Sequence, residues 1–551
     1  MLLLIRYLLG LLPLIRSTPN NSRVTNETTY FAIASNTKLF TAVALSLMIE
    51  DGTKLPNGQL LEVTSSMKDV VPGWAMENAT AGNEITLRDV MSMRSGLPQH
   101  ILAITPSDSP TTAAGRTPFL TQNVPSGQNG TYQYSNHNYE ILASIPTYLL
   151  NVSIETYVQD RIFTPLGMGA TRNASFAGTK ERSMGYLRSA PNVTACAALL
   201  AGGGNITDLS CLGRPEAFDF WTEGTNGGFY GGAGINLRGV DMIKWAKELM
   251  KPSVLPSAAV NRLKTLVPAA NTDAPTNSSS LVETIAYQAG LISQWYRGHK
   301  IYIHDGALPG SNSYFAWSPD SGVGVLVAAN EDPYSVYINN VIVNTVLDDL
   351  LGLAPIDWET RFIEGFLGSG GSISPSGAMA GSIPTTGSTS NTTTSAIARR
   401  PAPEGYANTT FIDRAYGNLT LLPLNLSSPA SYLSACIPAS YFLNAIAVPL
   451  SLNLTAPTYY AAYNHSIVSH FIFTHFDGPL YNYTTLFVRD RLDAMGRVDG
   501  LTAKVYAMGS AVFAEGGVGM FGNFALPAAG LALDPVEVDV KDKATAFFGR
   551  V

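Results

Sequence analysis

Ser35 and Lys38 are the residues of this 551-residue chain whose types and spacing most directly suggest covalent chemistry. They stand early in a segment, residues 31–54, where apolar residues recur at helical spacing, so we expect a long buried helix. Ser35 is a favourable N-cap residue and should begin that helix. A hydroxyl there faces free backbone N–H groups, and a lysine three residues on shares its face. The spacing suits a nucleophilic serine whose proton the lysine can help to take, provided that burial or another cation lowers the pKa of the lysine.

The Ser-x-x-Lys spacing is weak by itself, since chance produces it about once in a chain of this length. Ser65 and Lys68 repeat it in a polar stretch before Val70-Val71-Pro72-Gly73. We interpret that copy as a solvated loop with no helix behind it. On the motif alone, Ser35 is more often an ordinary capping serine than a nucleophile.

Two later stretches supply partners for Ser35. Tyr134-Ser135-Asn136 precedes an apolar helix predicted from Tyr139 to Leu149. A tyrosine whose pKa is lowered by a neighbouring ammonium can act as a general base, and an asparagine amide can hold a substrate amide or the lysine. His304-Asp305-Gly306 is predicted to end a strand, where backbone N–H groups can hold an oxyanion and the glycine permits close approach.

The order of the three motifs, Ser35-x-x-Lys38, Tyr134-x-Asn136 and His304-x-Gly306, resembles the serine β-lactamase and penicillin-binding-protein superfamily. The resemblance is greatest to the class C β-lactamase branch, with its esterases and D-aminopeptidases, and it covers about residues 29–355. It implies Ser35 as nucleophile, Lys38 as its partner and Tyr134 as general base. The residues that it implies for substrate binding are Asn136, His304, Gly306 and Ala307, the last forming an oxyanion hole with the Ser35 N–H.

The third motif departs from the Lys-Thr-Gly that most lactamases and peptidases of this superfamily keep. His304 stands in place of the lysine that grips a substrate carboxylate. Because a neutral imidazole grips a carboxylate poorly, we expect esters and amides to be preferred over penicillins.

The expected fold class is α/β (α+β), with an antiparallel sheet flanked by helices and a helical subdomain, followed by a separate all-β domain. Strand-like runs separated by turns between residues 286 and 329 predict the sheet, and short runs rich in Tyr, Phe, Val and Leu predict the second domain. Residues 101–130, rich in Thr, Ser, Pro and Gly, are predicted to be a long surface excursion. The expected divisions are a signal segment at 1–18, a hydrolase-like domain at 29–355, a Gly/Ser/Thr-rich linker at 368–400 and a β-rich domain at 402–551.

Composition excludes several classes of protein. The formal net charge of -7 and the absence of basic clusters exclude nucleic acid as an expected partner, and no later apolar run is long enough for a stable membrane span. Sixteen Asn-x-Ser/Thr sequons and the apolar leader predict a secreted, extracellular glycoprotein. The second domain resembles one that secreted fungal members carry.

Three cysteines leave two possibilities open. Cys196 and Cys211 flank a Gly-rich turn and can form a local disulfide, which leaves Cys436 over; alternatively all three are inert thiols. His465, His470 and His475 are five residues apart, which places neighbours on opposite faces of a strand and favours packing over metal binding. The motifs imply no metal or organic cofactor.

The N-terminus is expected to be short for this superfamily, in which a helix and two strands usually precede the nucleophile. Only thirty-four residues precede Ser35, so at most one short strand is expected. A shortened gene prediction or a truncated paralogue would explain this. We expect one exposed sheet edge and a poorly stable chain that two restored upstream strands would rescue.

The leading hypothesis is a secreted serine hydrolase that acts through an acyl-serine on a small ester, amide or peptide substrate. One alternative is a catalytically impaired binding protein that kept the fold, which the short N-terminus favours and the three motifs disfavour. Another is an acyltransferase, because the same acyl-enzyme can pass its acyl group to an alcohol or amine.

Overall fold

The computed structural model describes most of both expected domains. The described residues are 16–18, 21–120, 132–169, 182–189, 195–196, 198, 209–218, 220, 228–267, 281–332, 334–362, 400–424, 456–463, 465–492, 498–522, 540–544 and 546–551. The leader up to residue 15, the linker up to residue 399 and Cys436 lie outside them.

The described elements up to residue 350 include runs of helices and runs of strands, and those after residue 400 are mainly strands. The helices are α1 Thr37–Glu50, α2 Met67–Val70, α3 Ala79–Glu84, α4 Leu87–Met91, α5 Pro110–Gly115, α6 Asn136–Leu150, α7 Ile154–Val158, α8 Gly239–Met250, α9 Ser257–Thr265, α10 Ser335–Leu350 and α11 Val540–Lys543. The strands of the N-terminal domain are β1 Arg16–Thr18, β2 Asn21–Val24, β3 Tyr30–Ala32, β4 Tyr186–Ser189, β5 Arg214–Ala217, β6 Asn236–Arg238, β7 Val282–Tyr287, β8 Ile292–Tyr296, β9 His299–Leu308, β10 Ser311–Ser318, β11 Val323–Ala329 and β12 Glu331–Asp332. Those of the C-terminal domain are β13 Thr409–Asp413, β14 Gly417–Pro423, β15 Thr458–Ala462, β16 His470–Asp477, β17 Leu480–Leu492, β18 Val498–Ala514, β19 Gly517–Gly522 and β20 Ala546–Arg550.

Five antiparallel strands form the main sheet of the N-terminal domain, in the order β11-β10-β9-β8-β7. Alternation along β10 sends Tyr314 to the face that α10 covers and Phe315 to the other, larger core. The sheet flanked by helices confirms the expected fold class. The expectation that β9 ends at His304-Asp305-Gly306 is wrong, because pairing with β10 keeps the strand extended as far as Leu308.

Helix α1 runs through the core, as its nearly continuous apolar surface predicts. All its residues from Thr37 to Met48 are buried, and the Phe40 ring stacks on Trp245 of α8 with centroids 4.0 Å apart. The expectation that Ser35 caps this helix is wrong. Ser35 lies in a 3₁₀ turn ahead of α1, and its hydroxyl bonds side chains instead of the backbone of the first helical turn.

Within the described part of the N-terminal segment, three short strands precede Ser35, so the expectation of at most one is wrong. In the part of the chain that the structure describes, β1 and β2 pair only with each other and β3 pairs with β6, because strands of three or four residues fit into this length. None of the three joins the main sheet. Among the described residues, β11 therefore has a strand partner on one side only, and a groove of about 390 Å³ bounded by α8 and α10 runs along it. The expected loss of stability stays a prediction.

The eight strands from β13 to β20 close into a barrel, which confirms the expected all-β domain. The barrel packs against residues 100–104 of the N-terminal domain. The Tyr463 hydroxyl donates to the Leu102 carbonyl over 3.2 Å, and the His100 Nδ1 atom lies 2.6 Å from the Tyr416 hydroxyl. Arg400, at the end of the predicted linker, forms an ion pair with Asp477 of the barrel.

The barrel contact also explains why the prediction for residues 101–130 is wrong over its described part. Residues 101–104 are all buried, and α5 follows them. The segment is polar on average, but residues 101–104 are four consecutive apolar residues. They lie beside the barrel, which is distant in sequence. Residues 121–130 lie outside the described part of the chain.

Three smaller features complete the fold. A disulfide joins Cys196 to Cys211, with their Cα atoms 5.3 Å apart. Ser65 and Lys68 flank the start of the one-turn helix α2, so the interpretation as a loop without a helix is wrong, although Lys68 is exposed. No helix in the described part of the chain is long and apolar enough to cross a bilayer.

Candidate active site

Ser35 lies where three elements meet. Its Oγ atom is 3.0 Å from the Lys38 Nζ atom on α1 and 3.0 Å from the Tyr134 hydroxyl, just before α6. The Ser135 hydroxyl caps α6 by accepting from the Asn138 N–H and also donates to the Pro98 carbonyl over 2.7 Å. This cap fixes the start of α6 and therefore the position of Tyr134 beside Ser35.

Lys38 is fully buried and has three polar neighbours. Its Nζ atom is 2.7 Å from the Asn136 Oδ1 atom, 3.0 Å from the Gly232 carbonyl oxygen and 3.0 Å from the Ser35 Oγ atom. Burial lowers the pKa of Lys38 to about 7, against the opposing effect of the Glu140 carboxylate. Two of the three neighbours only accept hydrogen bonds. A neutral amine therefore donates its two N–H groups to them and directs its lone pair at the Ser35 hydroxyl.

Tyr134 does not have the lowered pKa that the sequence suggested. Burial raises the pKa of Tyr134 well above its ordinary value, and the hydrogen bond with Ser35 opposes this only in part. This direction is opposite to the one expected of an ionised tyrosine base, because removing the phenol from water disfavours its charged form. Tyr134 keeps its proton and donates it to the Ser35 Oγ atom.

His304 lies close to Tyr134, with ring centroids 6.5 Å apart, and is uncharged at neutral pH. Burial and the nearby Lys38 lower the pKa of His304 to about 3. Its Nδ1 atom is 2.5 Å from the Asp305 carbonyl oxygen, so Nδ1 carries the hydrogen and Nε2 faces the Tyr287 hydroxyl at 3.3 Å. Burial raises the pKa of the Asp305 side chain to about 7. The third motif therefore presents a neutral imidazole, as expected for a histidine at this position.

Gly306 brings β9 against the turn that holds Ser35. A Cβ atom on Gly306 would lie 2.3 Å from the Ile33 carbonyl oxygen and 3.0 Å from the Ser35 nitrogen, too close for any side chain. The pairing of β8 with β9 ends at Ile303, so among the described residues the stretch from His304 to Leu308 has a strand neighbour only in β10. On its other side this stretch contacts the turn at residues 34–36, so Ala307 lies one residue from the point where β9 approaches Ser35.

Two features of the site were missed in the sequence. Ala34 has a φ of 48°, in the left-handed region, and an alanine in the sequence gives no signal of that conformation. Strained backbone of this kind often occurs in functional turns. Glu140, on α6, accepts hydrogen bonds from three successive backbone N–H groups, those of residues 230–232. A signal for Glu140 existed: it is the one acidic residue in an apolar helix and lies four residues after Asn136, on the same helical face.

Comparison with known proteins gives a family. Residues 17–340, more than half of the chain, match the family model described as Beta-lactamase. The chain belongs to the beta-lactamase family. The matched range contains the Ser35 turn, the start of α6 and the His304-Asp305-Gly306 segment.

Two kinds of curated relative resemble this beta-lactamase family member. "Unguisins hydrolase ungD'" of Aspergillus campestris is 28% identical over 354 residues, which are 61% of this chain and 60% of the relative. "Protein flp" of Staphylococcus aureus is 24% identical over 337 residues, which are 58% of this chain and 57% of the relative. The match thus spans about three fifths of the length of these relatives.

Solved structures resemble it more distantly. The octameric penicillin-binding protein homologue from Pyrococcus abyssi has a TM-score of 0.45 and 15% identity, covering 90% of this chain and 87% of that chain. The D-amino acid amidase from Ochrobactrum anthropi has a TM-score of 0.44 and 20% identity, covering 60% of this chain and 87% of that chain. At these values the likeness concerns the fold and says nothing of the substrate.

The three C-terminal histidines of the family member do not converge. His465 stacks on Tyr463 with centroids 3.6 Å apart, His470 contacts the Ser469 hydroxyl, and His475 contacts the Gly478 carbonyl. Over the described ranges, no group of three His, Cys, Asp or Glu side chains is arranged to hold a metal ion.

Proposed function

We propose that this beta-lactamase family member is a secreted serine hydrolase that acts through an acyl-serine intermediate on esters or amides. The observation that carries the proposal is the position of the Ser35 Oγ atom, 3.0 Å from both an amine that can be neutral at pH 7 and a phenol that keeps its proton. A base and an acid on one hydroxyl are the two groups that acyl transfer requires.

In the acylation step, the Ser35 hydroxyl proton passes to the neutral amine of Lys38 as the Oγ atom bonds the substrate carbonyl carbon. The leaving alcohol or amine then takes the Tyr134 proton as its bond to that carbon breaks. The Lys38 ammonium returns a proton to the Tyr134 oxygen, so both groups regain their starting states. Asn136 and the Gly232 carbonyl hold the Lys38 amine in place throughout.

Deacylation uses the same two groups in the same roles. Lys38 takes a proton from a water molecule whose oxygen bonds the acyl carbon, and the Ser35 Oγ atom leaves with the Tyr134 proton over the existing 3.0 Å contact. The Lys38 ammonium then returns a proton to the Tyr134 oxygen, which restores the starting state of both groups. An alcohol or amine in place of water would give acyl transfer by identical steps. The oxyanion formed in each step would be held by the backbone N–H groups of Ser35 and Ala307, which Gly306 brings close together.

Labelling with a fluorophosphonate probe tests this function. Ser35 should be the serine that reacts, because it combines the turn, the lysine and the tyrosine. Ser35→Ala should abolish labelling, whereas Ser65→Ala, in the second Ser-x-x-Lys copy, should leave it unchanged. Mass spectrometry of the labelled peptide identifies the site. Reaction at Ser65, or a folded protein that does not react, would refute the proposal and favour the binding-protein alternative.

Substrate preference follows from His304. Short-chain aryl esters should be hydrolysed with a higher kcat/KM than benzylpenicillin, because a neutral imidazole offers a carboxylate no opposite charge. His304→Lys should shift the preference toward carboxylate-bearing substrates, while the neutral control His304→Gln should not. Steady-state kinetics on both substrate classes measures the ratio. Efficient penicillin hydrolysis with negligible ester hydrolysis by the natural chain would contradict this.

Secretion and glycosylation are part of the same proposal. Every sequon asparagine within the described residues is exposed, as an acceptor for a glycan must be. These asparagines are Asn26, Asn78, Asn151, Asn408, Asn418 and Asn482. The disulfide between Cys196 and Cys211 fits an oxidising compartment.

A further inference from the structure

Glu140 is a buried carboxylate with no solvent exposure, on the face of α6 that carries Asn136. Its Oε2 atom accepts from the N–H groups of Tyr230 and Gly231, over 2.8 and 3.1 Å, and its Oε1 atom accepts from the Gly232 N–H over 2.8 Å. An isolated buried carboxylate is costly, and three backbone donors offset that cost. Glu140 thus holds a short loop, residues 230–232, against α6 by hydrogen bonds.

The fastened loop also reaches Lys38. The Gly232 carbonyl accepts from the Lys38 Nζ atom, and the Gly231 carbonyl accepts from the Thr41 hydroxyl over 2.9 Å, one turn further along α1. A Cβ atom on Gly232 would lie 2.9 Å from the Glu140 Oε1 atom and 3.6 Å from the Lys38 Nζ atom. The carboxylate and the amine therefore face each other across Gly232.

We propose that Glu140 is the positioning residue for Lys38: its carboxylate holds the loop at residues 230–232 so that the Gly232 carbonyl orients the amine. This role rests on the proposed function, in which Lys38 is the base. Among the described contacts, the Glu140 carboxylate hydrogen-bonds the N–H groups of residues 230–232 and not the Ser35 Oγ atom.

The charges around Lys38 determine the direction in which its pKa changes when Glu140 is replaced. The titratable groups that face Lys38 are Glu140 and Tyr139 on α6, Tyr134 ahead of it, and His304 and Asp305 on β9. The two carboxylates raise the pKa of Lys38, while burial lowers it. Replacing Glu140 by a neutral residue removes the larger opposing charge, so the pKa of Lys38 must fall.

The chain offers a matched control in Glu248 of α8. Glu248 is also buried, and its carboxylate accepts from the N–H groups of three successive residues, Ser253, Val254 and Leu255, over 3.0, 3.1 and 2.8 Å. It holds a loop in the same manner, but Lys38 is not beside that loop. Glu248→Gln therefore measures the loss of activity caused by weakening such a carboxylate–loop contact, without a change in the pKa or position of Lys38.

The experiment compares the natural chain with Glu140→Gln, Glu140→Asp and Glu248→Gln. Aryl ester hydrolysis is measured from pH 5.5 to 9, and Lys38 is titrated directly by NMR of protein labelled with [ε-¹³C]lysine, with its signal assigned from Lys38→Met. At pH 8 we expect Glu140→Gln to lower kcat by about ten- to a hundredfold. We also expect the pKa of Lys38 to fall by about one unit.

Opposite outcomes separate a positioning role from a merely structural one. In the proposed role, the activity of Glu140→Gln relative to the natural chain increases as the pH falls, Glu140→Asp loses turnover but keeps the Lys38 pKa, and Glu248→Gln changes neither. A pH-independent loss, or an unchanged Lys38 titration in Glu140→Gln, overturns the proposal. If the natural chain proves inactive, the proposed hydrolase function fails, yet the NMR titration still decides whether Glu140 controls Lys38. If Glu140→Gln does not fold, full turnover by Glu140→Asp overturns the proposal.

Discussion

Replacing Lys38 by alanine is expected to lower kcat for ester hydrolysis by about 10²–10⁴-fold, the range for a lost general base. The Nζ atom is the only amine in hydrogen-bond contact with the Ser35 hydroxyl among the described residues. Lys38→Arg should be nearly as impaired, because a guanidinium stays protonated at every working pH. Steady-state kinetics measures the loss, and Lys68→Ala, the lysine of the second Ser-x-x-Lys copy, serves as the control that should keep full activity.

The role of Lys38 as base also predicts the direction in which the activity of the natural chain changes with pH. Below a pH of about 7 the Lys38 amine is protonated and has no lone pair for the Ser35 proton; above it the amine is neutral. Hydrolysis should therefore increase with pH through the neutral region. A profile that is flat between pH 5.5 and 8.5, or an active Lys38→Ala variant, would remove Lys38 from the role of base.

Gly306→Ala is expected to lower kcat by about a hundredfold or more, because the added methyl group must displace backbone. Its Cβ atom would lie 2.3 Å from the Ile33 carbonyl oxygen, a contact that no rotamer relieves. The strand must move away from the Ser35 turn, and a displacement near 1 Å in an active site can cost about 10²-fold. The labelling rate at Ser35 and kcat should fall together.

A matched glycine two strands away in the same sheet, Gly324 of β11, provides the control. A Cβ atom on Gly324 would lie 3.4 Å from the Trp317 side chain, an ordinary contact, so Gly324→Ala should preserve activity. Equal losses in the two variants would mean that the sheet tolerates no added methyl group, and the special role of Gly306 would then be wrong.

The sequence located the parts of the site that depend on local pattern. Apolar periodicity predicts a buried α1, and strand-like runs predict the antiparallel sheet, because burial on one face imposes those periods. What failed depends on tertiary surroundings. The pKa of Tyr134 is decided by how completely its phenol is buried, and the packing of residues 101–104 by a barrel more than 300 residues away in sequence; neither is encoded in neighbouring residues. The three donors to Glu140 come from a distant glycine-rich loop, so its role could not be seen from α6 alone.

The contact between the barrel and residues 100–104 has a consequence for how this protein can diverge. Because hydrogen bonds such as that from Tyr463 to Leu102 set the orientation of the two domains, the covalent connection between them need not do so. The entropic cost of a longer connection increases only with the logarithm of its length. Natural selection should accordingly tolerate insertions and deletions between residues 362 and 400, while substitutions at the paired positions of the interface must occur in concert.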